Sequence, residues 1–411
     1  MKFLVFPLHA LMNPHTARPA MPKAIWALGF VSLLMDVSSE MVHSLLPVFL
    51  ATGLGASALM IGLIEGAGEA MALVVKVFSG ALSDYLGRRK PLAVLGYGLG
   101  AVSKPLFALA GGVGAVLTAR LIDRVGKGLR GAPRDALVAD ITPPAIRGAA
   151  FGLRQSLDTV GAFLGPLLAV GLMLLWAGDI RAVYAVAIVP GLLSVAVLWL
   201  GVQEPERAAR TVRINPIQRQ MLARLPAAYW WVVGVGAVFT LARFSEAFLV
   251  LRAMQGGLEA AYTPLVLVAM NLVYALAAYP FGKLADRWPH RRLLGGGLGV
   301  LILADLALAA GTQWHWLGLG VLLWGLHMAM TQGLLATMVA ATAPAELRGT
   351  AFGVFNLASG VAMLLASGIA GALWQWWGAG ATFLAGAIFS ALAWILMQRG
   401  GDTHEIGDLQ R

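Results

Sequence analysis

The chain has 411 residues, of which 59% are hydrophobic and 12% charged, with a mean hydropathy of +0.78. Soluble chains average about 45–50% apolar and about 25% charged residues, so a soluble enzyme and a disordered chain are excluded, and a soluble helical bundle would need polar outer faces that are not there. The net charge is +10 and there is no cysteine, which removes disulfide scaffolds, thiolate nucleophiles and thiolate metal sites.

In chain order the apolar stretches are 24–50, 58–83, 92–111, 113–139, 148–177 and 182–201, then 227–251, 261–284, 292–311, 314–341, 348–373 and 376–398. Each suits a helix across a hydrocarbon core of about 30 Å. The pattern predicts an all-α integral membrane fold of twelve transmembrane helices in two pseudo-symmetric halves of six. The chain's 50 glycines suit close helix contact in lipid. Residues 1–23 lack the cleavage site of a signal peptide and read as a cytoplasmic tail, with little structure expected before Pro22. Residues 24–202 then form the first half, 203–226 a cytoplasmic linker, 227–398 the second half, and 399–411 a second cytoplasmic tail.

The second half repeats the first. RGAAFG at Arg147–Gly152 returns as RGTAFG at Arg348–Gly353, 201 positions on, and Pro144 and Pro344 precede the two copies. GALSDYLGRRK at Gly80–Lys90 returns as GKLADRWPHRR at Gly282–Arg292, 202 positions on, and Ser39-Glu40 has an echo in Ser245-Glu246. Duplicated six-helix halves are a transporter signature, because one half can rock against the other. With the N-terminus cytoplasmic, that side receives 18 lysines and arginines outside the spans or at their first residue: Lys2, Arg18, Lys23, Arg88, Arg89, Lys90, Arg147, Arg207, Arg210, Arg213, Arg219, Arg224, Arg287, Arg291, Arg292, Arg348, Arg399 and Arg411. The opposite side receives Arg181 and Arg252. This asymmetry follows the positive-inside rule and accounts for much of the basic excess without nucleic acid.

Charge within a span is expensive and marks function. The first half holds seven such acids and eight bases, the second half two of each. Asp36, Glu40 and His43 share a face of the first span, and neighbouring buried acids favour uptake of a proton. Glu65 and Glu69 are four apart on the second span, with Lys76 beyond them. The fourth span carries Arg120, Asp123, Arg124, Lys127, Arg130, Arg134 and Asp135. That strip cannot all face lipid, so it is either bracketed by Glu65, Glu69, Asp36 and Asp158 or lines a water-filled cavity. Arg154 and Asp158 form an i,i+4 pair beside Gln155 on the fifth span, and Arg243 and Glu246 on the seventh are placed to reach toward Glu40. Asp305 stands alone, with a local hydrogen bond as its expected role. His327, Met328, Met330, Met35 and Met41 form no compact ligand cluster, so no metal or cofactor is expected.

Gly80, Asp84, Gly87, Arg88, Arg89 and Lys90, with the degenerate copy Gly282, Asp286, Arg287, Arg291 and Arg292, resemble the signature loops of the major facilitator superfamily. Arg120 with Gly126 and Gly128 resembles that family's helix 4 motif, although Arg124 stands where many members have glycine. Gly161, Gly165 and Pro166 resemble the helix 5 motif common in exporters and antiporters. Its second glycine pair is incomplete, with Ala169 before a lone Gly171, and the second half has Ala366 and Ser367 in place of Gly165 and Pro166. The strings MDVSSEMVHSLLPVF and DRVGKGLRGAPRDALVAD resemble a widespread bacterial branch of the family. The resemblance covers residues 24–398 and implies a central cavity, no enzymatic activity, and Arg120 near the cavity and proton pathway. It also implies cytoplasmic gating by Gly80, Asp84, Arg88, Arg89, Asp286 and Arg287, with Asp140 as a partner for the Arg88/Arg89 cluster.

The candidates for proton coupling are therefore Asp36, Glu40, Glu65, Glu69, Asp158 and Arg120; those for the substrate cavity are His43, Arg124, Arg154, Gln155, Arg243 and Glu246. The expectation is a monomeric secondary transporter of the bacterial inner membrane, both termini cytoplasmic, whose partners are protons, a small-molecule substrate and the lipid bilayer. Proton-coupled export of a small organic solute is expected, and the basic strip of the fourth span points to an anionic one. The alternatives are uptake or facilitated diffusion of an anionic metabolite without proton coupling, and a non-transporting sensor that tolerates loss of the buried acids.

Overall fold

The computed structural model describes residues 20–205, 222–285, 287–331, 333–344 and 347–399. The expected tails and most of the linker lie outside those residues. The helices are α1 (Lys23–His43), α2 (Leu46–Val48) running into a π-turn at Phe49–Gly53, α3 (Ala58–Leu86), α4 (Lys90–Ala108), α5 (Val113–Ile141), α6 (Arg147–Leu175) and α7 (Ile180–Gly201) in the first half. The second half has α8 (Ala227–Ala242), α9 (Ala247–Gln255), α10 (Pro264–Ala285), α11 (His290–Ala310), α12 (Trp314–Thr331), α13 (Leu334–Thr342), α14 (Arg348–Trp377) and α15 (Ala379–Arg399). The pairs α1–α2, α8–α9 and α12–α13 are each one broken span, so the bundle has twelve spans and, among the described residues, no β-strand. Ten of the spans are long and apolar enough to cross a membrane. The other two, α4 and α5, carry buried charge and are sheltered by their neighbours.

The repeat is structural. Arg147 and Arg348 each open a long helix, α6 and α14, of 29 and 30 residues. Three spans depart from the continuous helices expected of them. The first stops at His43, because Pro47 has no N–H and its ring crowds the preceding turn; the chain resumes at Leu46. The seventh opens at Arg243, where Ser245 N donates to Ser367 Oγ of α14 and Ala247 N donates to Ser245 Oγ, so side chains replace the helical ladder. The tenth is interrupted before Gly333, whose φ of 86° lies in the left-handed region that favours glycine.

α3 and α14 join the two halves along most of their length, and small residues allow it. A β-carbon on Gly371 would fall 2.5 Å from Ala58 O, one on Gly66 would fall 3.0 Å from Leu364 Cα, and one on Gly62 would run into Ser367 O. Apolar packing is uneven along the bundle axis. At the end away from the described termini, one cluster takes in Leu46, Phe49 and Ile64 from the first half and Phe244, Phe248, Trp324 and Phe383 from the second. At the terminal end the clusters are separate. One around Ile25, Leu28 and Val138 belongs to the first half, and two around Tyr229 and Leu294 belong to the second. The halves are therefore sealed together by apolar packing at the far end and divided in their packing at the terminal end.

Replacing Gly62 by alanine sets a methyl group against the Ser367 carbonyl and is expected to cost about 1–3 kcal/mol, the usual range for overpacking. Gly98→Ala, where a β-carbon meets nothing within 4 Å, should leave stability at the wild-type level. Thermal unfolding of the two detergent-purified variants measures both.

Candidate transport site

The site begins with α5. Arg120, Arg124, Lys127 and Arg134 recur at helical spacing, so one stripe of this helix is basic and must be matched inside the bundle. α3 supplies two acids. Arg120 Nη2 lies 2.5 Å from Glu65 Oε2 and 3.6 Å from Glu69 Oε1, and Arg124 Nη1 lies 3.0 Å from Glu69 Oε1. Gly68 leaves α3 bare where the guanidinium arms cross it: a β-carbon would fall 3.0 Å from Arg120 Nε and 3.2 Å from Arg124 Cγ. α1 adds His43, whose ring nitrogens lie 3.4 Å from Glu40 and 3.4 Å from Glu65. α4 adds Lys104, which donates to Asp123 of α5 at 2.7 Å and to Ser39 of α1 at 3.2 Å. Arg124 Nε stands 3.7 Å from the other Asp123 oxygen. A continuous ladder thus runs Glu40, His43, Glu65, Arg120, Glu69, Arg124, Asp123, Lys104, across four helices. Glu65, Lys104, Arg120, Asp123 and Arg124 are buried. Such charges hold their place only as partners, because desolvation costs several kcal/mol per ion.

The second half touches this ladder at Ser245, in the break between α8 and α9, whose Oγ donates to Glu65 Oε2 at 3.4 Å. Toward the terminal end a second group forms around Asp158. Arg154 lies 3.5 Å and Arg134 3.7 Å from Asp158 Oδ1; Arg134 also pairs with Asp135 at 3.0 Å, and Arg154 donates to Gln155 Oε1 at 2.5 Å. Gly161 and Gly165 press α6 onto α1, since β-carbons there would fall 2.5 Å from Leu33 O and 2.9 Å from Val37 O. This approach turns the side chains of Asp36 and Asp158 toward each other. A cavity of about 280 Å³ opens beside them, lined by Asp36, Glu40, Glu69, Lys76, Lys127, Arg130, Arg134 and Asp158. Lys76 and Lys127 are exposed, and neither forms an ion pair among the described residues.

At the terminal end, Arg89 Nε lies 3.1 Å from Asp140 Oδ2. The backbone N–H groups of Arg89 and Lys90 both donate to the Glu204 carboxylate, and Lys90 Nζ donates to Trp199 O at 2.7 Å. All of these groups belong to the first half except Glu204, at the start of the linker. Gly80 lets α3 meet Ala132 of α5, while Arg88 and Arg287 are exposed. Asp286 and the Asp84 side chain lie outside the described residues.

Arg243 and Glu246 form no ion pair among the described residues, but Glu246 stands within electrostatic reach of Glu40 and His43, while the hydrogen bond from the seventh span to Glu65 is made by Ser245. One expectation needs correction. Asp305 does not make a local hydrogen bond: neither carboxyl oxygen has a partner among the described residues. Other participants lie outside the predicted set. Lys104 and Asp123 are visible in the sequence only as two of many charges in the spans. Ser39 and Ser245 are visible as the serines of the Ser-Glu echo. Glu204 is an acid shortly after the sixth span, and its role depends on a loop more than a hundred residues away.

The family model of the Major Facilitator Superfamily matches residues 28–229 and 265–406. The chain belongs to that superfamily. An uncharacterised MFS-type transporter of Methanocaldococcus jannaschii is 32% identical over 382 residues, 91% of this chain and 94% of that one. The inner membrane transport protein YajR of Escherichia coli is 26% identical over 401 residues, 93% of this chain and 84% of the relative. The crystal structure of a bacterial homologue of the human lysosomal transporter Spinster, inward-facing and occupied, has a TM-score of 0.76 and covers 94% of this chain and 98% of its own. At 16% identity that likeness is one of fold. As a superfamily member this protein is a secondary transporter of a small solute and not an enzyme.

Lys104→Met strips Asp123 of its nearest partner and should destabilise the protein by about 3–5 kcal/mol, the range for breaking a buried pair. Lys104→Met combined with Asp123→Leu removes both charges and should recover most of that loss, as read by thermal unfolding.

Proposed function

We propose that this protein carries out proton-coupled export of a small organic anion, from the bacterial cytoplasm across the inner membrane, working as a monomer with both termini cytoplasmic. The observation that carries the reading is the cavity between α1, α3, α5 and α6. It sets two facing carboxyl groups, Asp36 and Asp158, beside two lysines that lack acid partners, Lys76 and Lys127. Two carboxylates so placed repel each other, and one shared proton removes the repulsion. Lys76 and Lys127 offer charge to an incoming anion, while Arg120 and Arg124 are already engaged by Glu65 and Glu69. Loss of the shared proton brings a second negative charge next to the bound anion and favours its release. Proton and anion therefore bind together, so the pair couples their fluxes in the same direction and export follows the anion's own outward gradient.

The apolar seal at the far end and the divided cores at the terminal end support a cavity open to the cytoplasm in this conformation, given the positive-inside orientation. Rocking the halves then moves Ser245 against Glu65, which passes movement between the second half and the charge ladder. Gly161, Gly165 and Pro166 support export through the resemblance of their motif to that of exporters. Gating is assigned to the Arg89–Asp140 pair and, through the family resemblance, to Gly80, Asp84, Arg88, Asp286 and Arg287.

Proteoliposomes carrying an internal pH-sensitive dye, challenged with a panel of organic anions, test this. Wild type should move protons with at least one anion, and Asp36→Asn or Asp158→Asn should abolish the proton signal. Lys127→Gln should raise the anion's KM about tenfold, equivalent to about 1.4 kcal/mol of binding. Labelled anion that crosses wild-type membranes with no proton signal would replace this reading with facilitated diffusion.

A further inference from the structure

Asp305 is wholly buried on α11 near its far end, and neither of its carboxyl oxygens has a partner among the described residues. Three other wholly buried groups around it share that state: Trp324 Nε1 and His327 Nε2 on α12, and Ser390 Oγ on α15. They follow one seam. α12 runs antiparallel to α11, with Gly297 against His327 and Thr331 and Gly320 against Ala304 and Leu308. α15 does the same, with Gly295 against Trp394 and Met397 and Gly386 against Asp305. Trp324 and Ser390 therefore fall between the level of His327 and the level of Asp305. His327 spends Nδ1 on Gly297 O at 2.9 Å, which leaves Nε2 unmatched.

Phe244, in the break of the seventh span, closes the seam. A β-carbon on Gly386 would fall 2.5 Å from Asp305 Oδ2 and 3.0 Å from Phe244 Cε1, and the Phe244 ring lies 5.4 Å from that of Trp324. The charged or titratable side chains described on the elements around the seam are His290, Arg291 and Arg292 on α11, His315 and His327 on α12, Arg243 and Glu246 in the break and Arg252 on α9. None forms an ion pair with Asp305 among the described residues. Arg252 instead donates to Leu308 O at 2.9 Å and to Gln255 at 3.1 Å. An ionised carboxylate here would be an unpaired charge in an apolar interior, a cost of several kcal/mol. Among the described residues no three His, Asp or Glu converge to hold a metal ion. The ligand that fits one carboxyl group with a hydroxyl, an indole N–H and an imidazole nitrogen nearby is a proton.

We propose that Asp305 is a proton-binding site of the second half, separate from the Asp36–Asp158 pair, and that the proton reaches it through water admitted to the seam past His327 and Ser390, with the Trp324 indole N–H as a donor to that water, when movement at the Arg243–Glu246 break displaces Phe244. The inference rests on the packing of the second half alone and does not require that the first half couple protons to an anion.

Infrared spectra of the full chain in lipid nanodiscs at neutral pH, in H₂O and in D₂O, test the site. Wild type should show a protonated-carboxyl band that shifts slowly after transfer to D₂O. Asp305→Asn should lack that band and unfold at the wild-type temperature, since a neutral amide replaces a neutral acid. The double variant Asp36→Asn with Asp158→Asn should retain the band, a readout that leaves Asp305 itself untouched. Identical wild-type and Asp305→Asn spectra, or loss of the band in the double variant, would overturn the proposal. The second of these results would leave the cavity pair as the proton holder and the proposed function intact.

Discussion

The pairing of Arg120 with Glu65 is the constraint around which the first half is built. Neither group can be left charged and alone in a bilayer, so α5 must lie against α3, and it must do so with the two side chains at one depth. The remaining charges of α5 then dictate their own neighbours. Arg124 takes Glu69 from α3, Asp123 takes Lys104 from α4, and His43 of α1 reaches the same Glu65 oxygen that Arg120 holds. Lipid supplies no hydrophobic drive between helices, so these contacts, with the glycines that let backbones approach, select which helices touch. Gly68, Gly161 and Gly165 are cases in point, each giving up a side chain where a neighbouring helix carries charge or brings it to the cavity.

That arrangement also decides what can move. The ladder from Glu40 to Lys104 lies wholly within the first half, as does the Arg89–Asp140 pair, capped by Glu204 from the start of the linker. These ion pairs stiffen one half and can survive a rigid-body rotation intact. What joins the halves is softer: the glycine-lined seam of α3 and α14, the apolar seal at the far end, and the Ser245–Glu65 hydrogen bond. A single hydrogen bond to a charged acceptor is worth about 1.5–3 kcal/mol. A contact of that size can be exchanged within a transport cycle, whereas a two-arginine, two-glutamate cluster cannot.

The twelve spans and the duplication were legible because they rest on local properties: apolar length, loop charge and repeated strings. That Arg120, Glu65, Glu69 and Asp158 pair within the bundle was legible because an ion in a membrane helix carries its cost wherever it points. The breaks were not. Leaving the helix at Arg243 depends on Ser367 of α14 offering its hydroxyl to Ser245 N, a contact between residues 122 positions apart in sequence. The Asp123–Lys104 pair was hidden for a similar reason, since a strip of seven charges on one helix does not say which of them turn toward α4. The break also brings Ser245 to Glu65, a hydrogen bond that a continuous seventh helix does not suggest, beside Glu246 in electrostatic reach of Glu40.

The two halves now carry the marks of a duplication followed by division of labour. In the first, charge is abundant and most of it is paired, so the field in the cavity comes from the lining groups without an ion pair among the described residues, Lys76, Lys127, Arg130 and Asp36. In the second, charge is sparse, and the polar groups along the seam of α11, α12 and α15 are buried without partners. A matched network resists change, because removing any member exposes another. An unmatched group is held in place only by its apolar surroundings, and any movement that admits water changes its state. Ser39 and Ser245, descended from one position of the ancestral half, show the same divergence: the first accepts from Lys104 inside the rigid ladder, and the second sits in a helix break and reaches across to Glu65. Rigidity on one side and an opened helix on the other give the rocking motion a fixed frame to work against.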